Sequence, residues 1–102
     1  MPFLMIYSTY PNEATAEKIV KQLVEEKLVA CGNSFPIKSA YWWQEAIEND
    51  DEWVSIVKTV PKNWTSVEQR ITQLHPYEIP CIIKIEAQAN AAYEAWIESS
   101  VV

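Results

Sequence analysis

The sequence predicts an α+β fold in which a split β-α-β-β-α-β unit forms a two-layer sandwich, followed by a short C-terminal helix. Three observations support this prediction. Extended and helical hydrophobic patterns alternate along the chain, two stretches of helical length separate strand-like runs, and the length of 102 residues is typical of one domain. We therefore expect residues 1–102 to form a single domain with both helices on one face of a four-stranded sheet.

The first strand and the first helix are predicted close together. The apolar run at residues 3–9 is rich in strand formers, and Pro11 and Asn12 then provide a break and a helix N-cap. From Glu13 to Leu28 apolar residues recur every three or four positions, with charged residues between them. This pattern predicts an amphipathic helix with one buried face.

A long hairpin is predicted next, because residues 29–44 and 51–60 show little helical periodicity. We expect a tight acidic turn with Asn49 and Asp50 as turn formers, and a bulge or bend at Pro36, which cannot donate a backbone hydrogen bond. Residues 29–44 would span roughly 50 Å if fully extended. A domain of this size has a radius of gyration of only ~13 Å, so the hairpin must project beyond its own domain.

A second helix, a fourth strand and a terminal helix complete the predicted order. Pro61 opens a helical pattern that places Trp64 on the buried face and ends at His75. Residues 80–87 predict a short buried strand, and the apolar spacing after them predicts a last helical turn or two. With both longer helices on one face, the other face of the sheet is left uncovered.

The projecting hairpin carries three consecutive aromatic residues, Tyr41, Trp42 and Trp43. Neighbouring side chains of a strand point to opposite faces, so Tyr41 and Trp43 should share one face and Trp42 the other. Exposed aromatic side chains on both faces are an aggregation hazard in a monomer. We therefore predict that a partner subunit covers them.

The balance of charges excludes some classes of partner. Acidic residues outnumber Lys and Arg by 14 to 8, and the formal net charge is −6. Nucleic-acid affinity depends on Lys and Arg that displace counterions, so DNA and RNA are not expected as partners. No apolar stretch approaches the ~18–20 residues of a membrane span, and the start of the chain lacks the features of a signal peptide. We expect a cytoplasmic protein without membrane contact.

Few residues are of the types that catalyse reactions or bind nucleotides. Gly32 is the only glycine, which excludes a glycine-rich phosphate-binding loop. His75 is the only histidine, and its place at a helix end before Pro76 favours a structural or capping role over a catalytic one. Cys31 and Cys81 show no paired-cysteine spacing, so we expect two buried free thiols.

Acidic residues are concentrated near the predicted hairpin turn. Carboxylates bind hard cations such as calcium, but the spacing here fits no calcium-loop pattern. We therefore favour a solvated turn that protects the edge of the sheet from pairing. The residues concerned are Glu45, Glu48, Asp50, Asp51 and Glu52.

Five motifs occur in the order VACGN, YWWQEAIENDDEW, IVKT, HPYEIP and YEAWI. Together they make the chain resemble the CutA divalent-cation tolerance family over nearly its whole length. The resemblance implies a ferredoxin-like domain, a homotrimer in which long hairpins wrap the neighbouring subunits, and an association with tolerance of copper and other divalent cations. Two departures are visible: the family's Cys-Ala-Asn motif appears as Cys31-Gly32-Asn33, and Glu45 replaces the family's glycine after Trp-Trp-x.

The resemblance also implies positions for a metal site and a pocket. Metal binding by some members has been attributed to a cysteine that ends the first strand and to paired histidines before Pro-Tyr; the matching residues here are Ser8, Leu74 and His75. With one imidazole left, we expect His75 to bind a divalent cation such as copper only weakly. The resemblance assigns no ligand to the pocket. The implied pocket between subunits lies near Cys31, Tyr41, Trp43, Glu52, Lys58 and Tyr77.

Three functions are consistent with these residues. The first is a trimeric, non-catalytic binding or signalling module connected with metal homeostasis. The second is an enzyme that acts on a small acid or carbonyl compound through Lys58 and Glu52 in the cleft between subunits. An ordinary ion pair of these two residues across the hairpin is favoured over catalysis. The third is a structural trimer whose partner is another protein.

Overall fold

Four strands and three helices make up the part of the chain that the structure, a computed structural model, describes, residues 2–102; Met1 of the predicted domain lies outside it. None of the helices in this part is long and apolar enough to span a membrane. A short 3₁₀ turn, Pro61–Asn63, precedes the second helix. The elements are β1 (Phe3–Tyr10), α1 (Glu13–Glu25), β2 (Cys31–Trp43), β3 (Ala46–Thr59), α2 (Trp64–Leu74), β4 (Ile82–Ala87) and α3 (Ala91–Ser100).

The strands form one antiparallel sheet in the order β2-β3-β1-β4. This order confirms the predicted α+β fold, the split β-α-β-β-α-β arrangement and the terminal helix. Because side chains alternate along each strand, the sheet has two distinct faces. One face packs against α1 and α2, and we call the opposite one the open face.

The first helix begins as predicted and ends earlier. The Asn12 side chain accepts a hydrogen bond of 2.8 Å from the backbone N–H of Thr15, which makes it the N-cap. The helix ends at Glu25, not at Leu28, because Lys27 adopts a left-handed conformation with φ of 58° that turns the chain out of the helix. The apolar pattern continues past the end because Leu28 still packs against the core.

The hydrophobic core lies between the sheet and the two longer helices. Trp64 is half-buried and packs against this core from α2, as its place in the helical pattern predicted. Arg70 of α2 makes an ion pair of 2.8 Å with Glu26, which fixes the two helices to each other. The fully buried members include Ile6, Tyr10, Ala16, Leu23, Val67 and Ile71.

Gly32 of β2 lies against Val20 of α1 and Val57 of β3. A Cβ atom at this position would stand 2.7 Å from a methyl group of Val20 and 2.9 Å from a methyl group of Val57. Both distances are shorter than a methyl contact allows, and β-branched valines have little freedom to move aside. The glycine is therefore a packing requirement of this chain.

We expect Gly32→Ala to lower the free energy of unfolding by about 1–3 kcal/mol, the usual cost of an extra methyl in a filled core. Urea titration followed by circular dichroism measures this change. In a Val20→Ala background, which removes the closer methyl groups, the same substitution should cost less. An equal cost in both backgrounds would show that Val20 is not the obstacle.

The hairpin of β2 and β3 projects from the domain as predicted. The longest dimension of the chain is 45 Å, against 23 and 21 Å in the other two directions. We call residues 38–51 the arm, because most of their side chains are exposed. The predicted bulge at Pro36 is wrong: the pairing with β3 runs without interruption past the Pro36–Trp53 pair. Proline is tolerated there because β2 is an edge strand.

The predicted turn at Asn49 and Asp50 is also wrong. The strand pairing continues to Trp43 opposite Ala46, so the turn consists of Gln44 and Glu45 alone. Both turn residues have positive φ, 51° and 68°. Two-residue hairpin turns favour this conformation because it matches the twist of the strands, but it normally selects asparagine and glycine. Because Gln44 and Glu45 are neither asparagine nor glycine, the sequence did not indicate a turn at these positions.

We expect Glu45→Gly to raise the free energy of unfolding by about 0.5–1 kcal/mol, because glycine adopts a positive φ without steric cost. The melting temperature at a fixed protein concentration is the measurement. Glu48→Gly is the control: the same change within β3 should lower the melting temperature. A similar shift in both variants would contradict the assignment of backbone strain to Glu45.

The open face is covered only in part, which corrects the expectation that it is bare. At one end α3 packs on it, and the Tyr93 ring meets the Phe3 ring edge-on with 6.1 Å between centroids. The fourth strand was predicted to be buried but is an edge strand whose side chains are mostly exposed. The large apolar side chains left exposed on this face are Phe35, Tyr41, Trp43, Ile83 and Ile85.

Candidate functional site

Five of the six predicted pocket residues fall into two groups on the open face. The register of β2 and β3 places Glu48, Asp50, Glu52 and Lys58 on the same side of β3, since they differ by even numbers of positions. Glu52 lies near the base of the arm. Lys58 lies at the other end of the strand, beneath α3.

A buried carboxylate paired with a phenol marks the first group. Glu52 is only 7% exposed although it is an acid on the open face. The hydroxyl of Tyr77 donates a hydrogen bond of 2.6 Å to its Oε2 atom. Burial, followed by this hydrogen bond and the negative charge of Glu52, raises the pKa of Tyr77 above its usual value. Tyr77 is therefore a firm donor at neutral pH.

A second phenol and carboxylate lie next to this pair, in the arm. The hydroxyl of Tyr41 donates to Oδ2 of Asp50, the neighbour diagonally across the hairpin. This hydrogen bond is the main reason that the pKa of Tyr41 rises to about 12, with smaller contributions from the charges of Asp50, Glu52 and Glu48. The base of the arm is thus lined by acidic and phenolic groups.

His75 positions Tyr77 and does not point freely into the site. Its Nε2 atom donates to the carbonyl oxygen of Thr9 at 2.7 Å, and Nδ1 accepts from the backbone N–H of Tyr77 at 3.1 Å. The ring also stacks on Tyr10 with 5.0 Å between centroids. Burial lowers the pKa of His75, opposed by the Thr9 hydrogen bond and the charge of Glu52. Its structural role at the end of α2 agrees with the prediction.

The second group surrounds Lys58 at the opposite end of β3. Lys58 is paired with Cys31 across the strands, and its ammonium group donates to Oδ1 of Asn33. The Cys31 sulfur lies 3.3 Å from the hydroxyl of Tyr93 on α3. This hydrogen bond, and then burial, raise the pKa of Tyr93 to about 12. Trp43 belongs to neither group, since it ends β2 at the tip of the arm.

The two groups do not meet within one chain. Glu52 and Lys58 are six positions apart on the same strand, on the order of 20 Å at ~3.3 Å per residue. The ion pair expected between them across the hairpin is therefore wrong: Glu52 is bonded to Tyr77, and Lys58 to Asn33. Any chemistry that needs both groups requires a second chain.

The residues at the family's metal positions do not fit a strong metal site. The Ser8 hydroxyl is buried and donates to the carbonyl oxygen of Cys81 at 2.7 Å, while Leu74 offers no ligand atom. Both ring nitrogens of His75 are already engaged, so a metal must displace one hydrogen bond. Within residues 2–102 no three side chains of His, Cys, Asp or Glu are grouped closely enough to hold an ion.

The two cysteines are half-buried, not fully buried as expected. Cys31 lies partly beneath Tyr93, and burial raises the pKa of the Cys81 thiol. Sequence reasoning also missed Asp50 and Tyr93 as partners of predicted residues. The contact of Asp50 with Tyr41 could have been predicted from the strand register, which places the two residues diagonally across the hairpin once the turn is set at Gln44 and Glu45. Nothing local to Tyr93 indicated its contact with Cys31, 62 positions away.

Comparisons with known proteins agree with the fold and the motifs. A family model described as CutA1 divalent ion tolerance protein matches residues 4–100. The chain is 40% identical over 95 residues to the divalent-cation tolerance protein CutA of Pyrococcus horikoshii, covering 92% of this chain and 93% of that protein. It is 38% identical over 99 residues to the CutA protein of Thermotoga maritima, covering 96% and 98% respectively.

Solved structures show the same similarity. The structure described as the periplasmic divalent cation tolerance protein CutA from Archaeoglobus fulgidus superposes with a TM-score of 0.96 at 39% sequence identity, covering 98% of this chain and 99% of that chain. The CutA1 structure from Oryza sativa gives a TM-score of 0.96 at 29% identity, covering 100% and 95%. The similarity therefore extends over the arm and the open face as well as the core.

Proposed function

Because the chain belongs to the CutA1 divalent ion tolerance protein family, we propose that it acts in divalent-cation tolerance as a homotrimeric, non-catalytic binding or signalling module. In this proposal the open faces and arms of three chains enclose pockets between subunits. The predicted pocket residues Cys31, Glu52, Lys58 and Tyr77 then contribute to the same cavities from different chains.

The uncovered apolar part of the open face carries the proposal. Five large apolar or aromatic side chains are exposed there: Phe35, Tyr41 and Trp43 on β2, which runs into the projecting arm, and Ile83 and Ile85 on β4. Soluble monomers rarely expose several large apolar side chains on one sheet face, whereas the buried centre of a subunit interface is enriched in them. Trp42 adds a further aromatic group on the other side of the arm, at 72% exposure. A neighbouring subunit gives all of these side chains a partner.

The absence of catalysis is part of the proposal and has physical support. Lys58 and Glu52 are the residues of the enzymatic alternative, but each is hydrogen-bonded to a neutral group of its own chain, Asn33 and Tyr77 respectively. Catalysis between subunits would require both groups to exchange these partners for a substrate, since a catalytic group must lie within hydrogen-bond reach of the atom on which it acts. Substrate turnover that is lost in Lys58→Met would favour the enzyme instead.

We expect the protein to bind divalent copper only weakly. Copper prefers imidazole and thiolate ligands, and here one engaged imidazole and two half-buried thiols are offered. Calorimetric titration with a divalent copper salt should therefore show at most weak binding, reduced further in His75→Ala. A sub-nanomolar site that persists in His75→Ala would contradict this expectation and would place the metal elsewhere on the protein.

Native mass spectrometry of protein purified without chelator can detect a ligand bound in the proposed pocket. We expect an ion with the mass of three chains, and any pocket ligand appears as additional mass on it. A spectrum of single chains only, from protein at micromolar concentration, would reject the trimeric module. Binding of another protein by an otherwise ligand-free trimer would favour the structural alternative.

The cytoplasm is the location that we propose for this protein. The Archaeoglobus fulgidus relative is described as periplasmic, so relatives do not decide the location of this chain. Fractionation of cells into cytoplasm and cell envelope, followed by detection with an antibody against the protein, tests the proposal.

A further inference from the structure

Charge is divided unevenly along the open face of the sheet. Glu48, Asp50 and Glu52 all lie on the arm side of this face. Lys58 is the only basic residue that the four described strands place on the same face, since Lys38 and Lys84 have the opposite parity. One strand therefore carries negative charge at one end and a single positive charge at the other.

The surroundings of Lys58 suit a carboxylate. Its ammonium group bonds only to the neutral oxygen of Asn33 and makes no ion pair with the described part of its own chain. The amide of Asn33 and the hydroxyl of Tyr93, which contacts Cys31 beside Lys58, add neutral hydrogen-bonding groups to this end of the face. An ammonium group flanked by such groups binds a carboxylate oxygen by charge-assisted hydrogen bonds.

Asp50 is the carboxylate on the open face that is best positioned to bind the Lys58 ammonium group of another chain. The Tyr41 hydroxyl holds one of its oxygens and leaves the other free, and the residue is exposed on the arm. Glu52 is buried against Tyr77 and cannot leave. Asp50 and Lys58 are eight positions apart on one strand, roughly 26 Å, so they cannot meet within a chain.

We propose that Asp50 in the arm of one subunit pairs with Lys58 of the next subunit, and that this pair sets the head-to-tail orientation of the subunits. The inference rests on the proposed homotrimer and names the polar contact that directs it. A head-to-tail contact uses two different patches and closes a ring when the rotation allows it. Opposite charges on the two patches favour this arrangement and disfavour the packing of like ends.

A charge exchange tests the pair. The variants are Lys58→Glu, Asp50→Lys and the double variant that carries both, with Lys62→Glu and Glu68→Lys as controls that make the same charge changes at exposed helical positions. Sedimentation equilibrium at low salt gives the association constant of each, and circular dichroism establishes that each chain is folded.

Each single variant should weaken association by about tenfold or more, because like charges then face each other in every contact. The double variant should recover most of the loss, and the two controls should resemble the wild type. A double variant no better than either single one, or a Lys58→Glu variant that associates as tightly as the wild type, would overturn the pair while leaving the trimer standing.

Two further outcomes separate this inference from the proposed function. A wild-type protein that sediments as single chains overturns both the trimer and the pair. If Lys58→Glu leaves the mass of the assembly unchanged but abolishes calorimetric binding of citrate, the Lys58 group takes a free carboxylate, and the pairing with Asp50 is overturned on its own.

Discussion

Replacing Trp43 by alanine is expected to leave the single chain folded and to weaken its self-association. Trp43 is 37% exposed at the tip of the arm, on the same side as the open face, and contributes nothing to the core. Covering the exposed part of an indole and packing it against a partner stabilises a contact by about 2 kcal/mol. In a closed trimer this loss occurs in every subunit, so the dissociation constant should rise by several orders of magnitude.

Trp64→Ala is the matched control for this result. Trp64 packs against the core from α2 and holds the ammonium group of Lys84 at 5.3 Å from its ring centroid. Its removal should lower the free energy of unfolding by about 2–4 kcal/mol, which shifts the melting temperature by ~10–25 °C for a domain of this size. Sedimentation and thermal melting of both variants separate the two roles. A Trp43→Ala protein that keeps its mass and melting temperature would show that the arm is not an interface.

Introducing a charge on the exposed apolar surface should have a still more direct effect on assembly. Ile83 lies on the open face of β4 opposite Tyr7 and is 47% exposed in the single chain. Ile83→Lys leaves the new ammonium group in water when the chain is alone, so the fold should tolerate it. In a contact between open faces the same group loses its water without a partner, at a cost of several kcal/mol.

Val24→Lys is the control for Ile83→Lys. Val24 is exposed to a similar extent, 38%, but lies on α1, on the far side of the sheet from the open face. We expect Ile83→Lys to sediment mainly as single chains at micromolar concentration and Val24→Lys to behave as the wild type. Dissociation by both substitutions would point to a general effect of charge, and dissociation by Val24→Lys alone would place the interface on the helices.

The order of the elements was predictable because it depends on local patterns. The N-cap at Asn12, the helical periodicity of α1 and α2 and the alternation of aromatic side chains in the arm all lie within a few residues of each other. The projection of the hairpin followed from its length alone. These signals establish the strands and helices and which side of the arm Trp42 occupies.

The hairpin turn was not predictable because its residues contradict the usual preference for glycine or asparagine at positive φ. Gln44 and Glu45 adopt that conformation since the pairing on both sides of them is continuous. The error carried over to the site. A turn at Asn49 and Asp50 conceals the diagonal relation of Tyr41 to Asp50.

Contacts between distant parts of the chain account for the remaining differences. Tyr77 reaches Glu52 because His75 bonds to Thr9 and directs the following loop around the end of the sheet. Tyr93 reaches Cys31 because α3 folds back onto the open face. Neither of these contacts produces a periodic pattern in the sequence. The sequence therefore indicated the pocket residues only through the family resemblance, and it did not indicate that they form two groups.

The central claim is that the open face and the arm are a surface for self-association, and the mass of the wild-type protein in solution tests it most directly. One chain has a mass of 11.8 kDa. Sedimentation equilibrium at micromolar concentration should give about 35 kDa, the mass of a closed ring of three chains. A mass near that of one chain, unchanged as the concentration is raised, would contradict the account and leave the exposed side chains of the open face without a partner.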